Sequence, residues 1–280
     1  MKSKESFLEI IDEFLASETA TLLPFDKNTL RIQREMKKKE PDIRLVEKLV
    51  ISDQALTTQL LRMANSAFYK GLTKVSTVRE AMVRLGTAEV ANLVTLLAHR
   101  KNFHAQDPDI RRIVSRLWLH SAGAAIASQW IAKKSGLASH SQEAFIAGLL
   151  HDVGKLFLLT VLDTAKSSGR IRAIPRPELL DELMDSLHAR HGYALLKKWN
   201  LPDQYCDVAL KHHDEECDGR DALLTIARLA NQACNKMSIG LRPDPSVLLA
   251  ATSEAHFLGL SEVALAELEI KLEDSLKLSP

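Results

Sequence analysis

Ten histidines stand in this chain of 280 residues. Five of them, with one aspartate, are of the kind and placing that could hold a metal: His120, the adjacent pair His151-Asp152, His188, and the pair His212-His213. Each alone reads as an ordinary surface or core residue; the set is what points to chemistry. Imidazole nitrogen suits Zn, Fe, Ni and Mn-like ions, and a carboxylate can bridge two of them. The run Leu149-Leu150-His151-Asp152-Val153-Gly154-Lys155, preceded by Phe145 and Ile146, sinks an imidazole and a carboxylate into apolar sequence. A carboxylate placed there is costly unless a cation or hydrogen-bond donors compensate it. His120 likewise sits in the charge-free stretch Leu117 to Ala132. Neighbouring residues on a helix point about 100° apart. His151 and Asp152 would therefore reach one ion most easily at a helix end, with bridging by Asp152 as the alternative.

The elements that must position these residues read as helix after helix. Phe7, Ile10, Ile11, Phe14 and Leu15 recur at spacings of three and four, which predicts a helix over 5–16. Asp42 and Asp53 stand as caps before apolar-periodic runs. Thr77 and Glu80 have the spacing of a capping box, and Gly86 fits a stop after Leu85. One long helix is expected over 109–134, a loop over 170–177, and helix starts at Pro202 and around Gly240 to Pro245. No alternation of period two competes, so the fold class is all-α. The segment Ala105 to Asp109 is the best junction and divides the chain into 1–106 and 107–280.

Composition narrows the function classes. Thirty-seven basic residues face thirty-six acidic ones, for a net charge of +1, which disfavours a nucleic-acid binder working through a basic surface. The run Arg34 to Lys39 contains Glu35 and reads as a solvated helix face. The longest charge-free stretch falls short of the roughly 20 apolar residues of a membrane span, and the N-terminus lacks the apolar core of a signal peptide. Three cysteines without a CxxC pair, Cys206, Cys217 and Cys234, read as reduced thiols in a cytoplasmic protein.

The order H…HD…H…HH, with His151-Asp152-Val153-Gly154-Lys155 at its centre, resembles the HD superfamily of metal-dependent phosphohydrolases, and especially its HD-GYP branch. More specifically the chain resembles the HDOD domain family over about residues 22 to 236. The likeness is carried by Ser52-Asp53-Gln54-Ala55-Leu56-Thr57, by Leu60 to Tyr69, by Ser76 to Ala81 with Arg84-Leu85-Gly86, and by His188-Ala189, Gly192, Trp199, Leu201-Pro202 and His212-His213. The resemblance implies an N-terminal helical lobe (1–106) packed on an HD-like metal-binding lobe with C-terminal helices (107–280). It implies metal ligation by His120, His151, Asp152, His188, His212 and His213, and phosphate binding by Lys155. The superfamily's final aspartate ligand corresponds here to Asn231, a degenerate ligand position, and the GYP signature after the second histidine pair is absent.

Two divalent ions would bring +4 against the single charge of Asp152, so one ion is expected rather than two, drawn from Fe, Mn, Zn or Ni. Such an ion can lower the pKa of a bound water toward about 7 and supply a nucleophile for phosphoester hydrolysis. Family resemblance implies a bacterial signalling module that binds a partner protein in trans or a small phosphate-containing ligand. The alternative is a metal-dependent phosphohydrolase or phosphodiesterase in which Asp152 and Lys155 serve catalysis. His191 is a surface residue or a supporting neighbour of His188, while Glu143 and Asp185 are candidates to orient ligating imidazoles. His99, His104, His140 and His256 have no partner pattern, and Cys217 reads as a loop thiol.

Overall fold

The chain is seen in a computed structural model that describes residues 7–17, 32, 35, 38, 42–66, 69, 71, 73–214 and 219–276. It is all-α, with no strand among the described residues. The first helix, α1 (Phe7–Ala16), buries Ile10 and Ile11, two of the residues its spacing put on one face. Next come α2 (Ile43–Ile51) and α3 (Gln54–Ala64), each opened by its aspartate: Asp42 accepts from the backbone N–H of Arg44 and Leu45, and Asp53 from that of Leu56. Such a cap satisfies donors that a helix start leaves open. The capping box of Thr77 and Glu80 starts α4 (Val78–Leu85), and Gly86 separates it from α5 (Thr87–Arg100).

Asp107 then caps α6 (Pro108–Lys134), with proline in the first turn where its missing N–H costs nothing. There follow α7 (Ser141–Leu150), α8 (Val153–Ser167), α9 (Pro177–Lys198), α10 (Asp203–Lys211) and α11 (Ala222–Lys236). The chain finishes with a short 3₁₀ turn at Leu249–Ala251, α12 (Ser253–Phe257) and α13 (Glu262–Leu276). The Gly240 to Pro245 stretch starts no helix. It runs on as irregular chain, and the next α-helix waits for the Thr252 cap. Residues Ala67, Phe68, Arg34, Cys217 and Glu215 to Asp218 lie outside the described residues.

By contact the chain divides into two compact units, Met1–Leu22 with Phe103–Leu265, and Leu23–Asn102 with Ala266–Pro280. The second has a core of its own, built on Val46, Val50, Leu60, Ala81, Val90 and Val94. In the first, Leu117, Ile131, Phe145, Leu149, Leu156 and Phe157 are almost wholly buried. Two helices there meet without side chains between them. A Cβ on Gly154 of α8 would stand 1.9 Å from the carbonyl oxygen of His188 on α9 and 2.8 Å from the backbone nitrogen of Gly192. Only glycine permits that approach.

Candidate metal centre

The buried apolar run of α7 ends at Leu150, His151 closes that helix, and Asp152 stands at the start of α8. The pair thus occupies a helix-to-helix corner. His120 comes from the middle of α6, His188 from α9, and His212 and His213 from the end of α10. His120, His151, Asp152, His188 and His212 are all buried, while His213 is exposed.

Asp152 is the hub. Its Oδ2 lies 3.5 Å from Nε2 of His120 and of His151 and 2.7 Å from Nζ of Lys155. Its Oδ1 lies 3.5 Å from Nε2 of His188 and 3.3 Å from that of His212. Two groups of donor atoms result, His120–His151–Asp152 and Asp152–His188–His212–His213, each with its atoms within 4.8 Å of one another.

The imidazoles are locked in one tautomer. Nδ1 of His120 donates to the Ile239 carbonyl at 3.0 Å, His151 to Gly148 at 2.8 Å, His188 to Met184 at 2.6 Å and His212 to Ala209 at 3.0 Å. A carbonyl only accepts, so the proton is on Nδ1 and the Nε2 lone pair faces inward. Those lone pairs nevertheless meet in pairs, His120 with His151 at 3.2 Å and His188 with His212 at 3.4 Å. Neither nitrogen of either pair has a proton to give the other. Oδ1 of Asp152, buried, has no hydrogen-bond partner either.

Acceptors converging on acceptors in a dry place call for a cation. Two nitrogens bound to one tetrahedral ion at about 2.0–2.1 Å stand about 3.3 Å apart, which is the spacing found here. A backbone carbonyl behind each ligating imidazole is also what metal sites use to fix ring orientation. The residues present fit a divalent ion.

Electrostatics agree. Burial pushes His120 and His188 below the ordinary imidazole range, His188 to about 4, and pushes His151 well below, Asp152 opposing the effect in each. They are neutral at pH 7, with lone pairs available. Burial alone would raise the carboxyl of Asp152; the Lys155 ammonium beside it opposes burial, and the carboxyl lies well below the usual carboxylate range.

Two cavities adjoin the cluster. A chamber of about 30 Å³ is lined by His120, Asp152, His213, Asn231 and Asn235 among others, so the degenerate position Asn231 does face the site. Lys155, Leu241 and Arg242 line both this chamber and a cleft of about 770 Å³. The cleft runs between α6, α8 and α9. Its lining runs from Asp109 to Arg116 on α6, from Lys155 to Lys166 on α8 and from Pro177 to Asp185 on α9. At about 1.5 Å per residue these spans are about 10, 16 and 12 Å.

Asp185 does not orient His188, whose Nδ1 is taken by Met184; it pairs instead with Arg242. Glu143 is not in the cluster, and its Oε2 has no hydrogen-bond partner. His191 is buried rather than exposed, its Nδ1 on the Leu187 carbonyl. The sequence reading missed Arg116, Ile239 and Arg242. Arg116 stands one helical turn before His120 and donates to the Gly240 carbonyl at 2.7 Å. Helical spacing could have found it. Nothing in the sequence signals that residues 239–242 come back over the site. Gly240, at φ +117°, makes this possible, for a Cβ there would lie 2.7 Å from that of His120.

A family model described as the HDOD domain matches residues 22–215. The crystal structure of an HDOD domain protein from Geobacter sulfurreducens superposes with a TM-score of 0.69 at 25% identity, covering 96% of each chain. A "putative metal-dependent phosphohydrolase" from Shewanella amazonensis SB2B gives 0.67 at 18% identity over 97% of this chain and 100% of that one. A "putative signal transduction protein" from Marinobacter aquaeolei VT8 gives 0.65 at 22% identity over 96% and 63%. The last two likenesses are of fold alone. A protein of Treponema pallidum (strain Nichols) is 28% identical over 192 residues, and the match spans 66% of this chain but only 36% of that relative.

Proposed function

This chain belongs to the HDOD domain family, and from that premise we propose that it is a signalling protein whose His/Asp cluster holds a divalent ion and presents it to a small phosphate-bearing ligand. The carrying observation is the meeting of unprotonated Nε2 atoms around a buried Asp152 oxygen without a hydrogen-bond partner. One ion of Fe, Mn, Zn or Ni is proposed, held by His188, His212, His213 and Oδ1 of Asp152. The Lys155 ammonium already neutralises Oδ2, beside His120 and His151. When bound, the ion supplies Lewis acidity and acidifies water. Lys155 steadies the phosphate charge at the junction of chamber and cleft, and Asn231 faces the same space. The loaded or empty state of the site passes to a partner protein in trans. Signal transduction is also the role named for the Marinobacter protein.

A second reading, hydrolysis of that ligand, is favoured by one observation: the chamber shares Lys155, Leu241 and Arg242 with a cleft large enough for an organic substrate. In this reading Lys155 and Asp152 serve the reaction.

Elemental analysis of protein purified without chelator tests the site. About one equivalent of metal per chain is expected, with loss in the His188→Ala and Asp152→Ala variants. Folded, metal-free wild type, or full metal in both variants, would remove the proposal. Release of phosphate from generic phosphoesters by metal-replete protein, abolished in Asp152→Ala, would establish the second reading; no release from any would end it.

A further inference from the structure

The cleft beside the cluster has a composition that selects a ligand. At its inner end stand Lys155, Arg116 and Arg242, and the carboxylates there, Asp152 and Asp185, are held by Lys155 and Arg242. Three cations face two carboxylates there, a positive surplus that suits an anion. Beyond it the wall is Ile113, Ile174, Pro175, Leu180 and Met184. Among the described lining residues there is no aromatic ring, no hydroxyl and no side-chain amide. A nucleobase is normally held by stacking and by hydrogen bonds to its edges. Arg112, Arg116 and Arg242 turn their guanidinium groups to Asp109, the Gly240 carbonyl and Asp185. At the outer end Asp109 and Asp181 stand among Arg112, Lys166 and Arg176.

We propose that the cleft takes an organic monophosphate with an aliphatic body, the phosphate between Lys155, Arg116 and Arg242 and the chain laid along Ile113, Ile174, Leu180 and Met184. This rests on the phosphate-ligand reading above and names the class of that ligand. A trough about 10–16 Å long accepts an extended alkyl chain of octyl length. The charged rim, with Arg112 paired to Asp109, keeps the mouth soluble while the floor stays apolar.

Calorimetric titration of the purified full chain with octyl phosphate, butyl phosphate, AMP and inorganic phosphate tests this, with metal content measured on the same sample. Each buried CH₂ contributes about 0.8 kcal/mol, or about fourfold in affinity. Octyl phosphate should therefore bind at least about tenfold more tightly than butyl phosphate, and AMP no more tightly than inorganic phosphate. Ile113 and Ile174 are only partly buried, so Ile113→Asn and Ile174→Asn, which add polarity without charge, should fold, retain inorganic phosphate binding, and lose the octyl-over-butyl gain. AMP binding that equals or exceeds octyl phosphate, equal affinity for both chain lengths, or a gain that survives both variants would overturn the proposal. Co-sedimentation with phosphatidic acid vesicles separates two sources of the same chemistry: pelleting assigns a lipid headgroup, octyl phosphate binding without pelleting a soluble ester. Absence of metal would remove the metal-site reading, while the chain-length dependence would still report on the cleft, whose own cations remain.

Discussion

Asp152 is a carboxylate whose two oxygens are served differently, Oδ2 by the Lys155 ammonium at 2.7 Å and Oδ1 by imidazole lone pairs alone. Replacing Lys155 by methionine keeps the bulk and removes the charge. Lys155→Met should therefore raise bound metal from about one to about two per chain by elemental analysis; an unchanged count would show that Lys155 is not what limits occupancy. A second prediction concerns His99, outside the cluster. Burial lowers its pKa from 6.5 to about 4, so between these values the unfolded chain takes up a proton that the native one refuses. Stability contributed by neutral His99 is complete above about pH 6.5 and lost as the pH falls to about 4, a change on the order of 3 kcal/mol. Urea titrations across that range should show a shallower acid limb for His99→Gln, and an identical slope would refute the assignment. That the five histidines and Asp152 come together was legible in the sequence, because an aspartate in an apolar run demands a reason and few side-chain types share its chemistry. Ile239 was not legible, since it contributes through its carbonyl, which every residue has.

At the scale of elements, helix ends were the most legible features. Asp42, Asp53 and the Thr77–Glu80 box open their helices because short polar side chains there satisfy N–H groups that nothing else reaches. The stretch from Gly240 to Pro245 resembles a helix start without being one, because proline and glycine mark a break but leave the conformation beyond it open. Its actual role is tertiary, with the Ile239 and Gly240 carbonyls taking His120 and Arg116. Asp185 departs from expectation for a similar reason: spacing on one helix brings it near His188, but Arg242 from another segment claims it. The contact of α8 with α9 gives a third prediction. In Gly154→Ala the new methyl meets the His188 carbonyl, so the helices must separate and carry His188 away from Asp152. A loss of about 2–3 kcal/mol in denaturant unfolding is expected, with weaker metal binding than in wild type. A Gly154→Ala protein of unchanged stability and metal content would mean that the helices shift without cost.

For the whole molecule, the all-α class followed from periodicity, while the division into units did not, because one unit draws on both Met1–Leu22 and Phe103–Leu265, chain segments far apart in sequence. The His/Asp cluster shares this property: its side chains lie on α6, α9, α10 and the corner between α7 and α8, from His120 to His213. No short segment of the unfolded chain holds the set, so the donors meet only when several helices have docked. The donor cage is therefore expected to close after the rate-limiting step of folding, so an ion that binds it meets almost nothing in the transition state. In a chevron measurement, metal should depress the unfolding rate constant in proportion to the stability it adds and leave the refolding arm where it was; refolding accelerated by metal would place cage formation earlier. What the scattered ligands give this protein on that account is longevity: once loaded, it resists opening for longer, although it is built no faster.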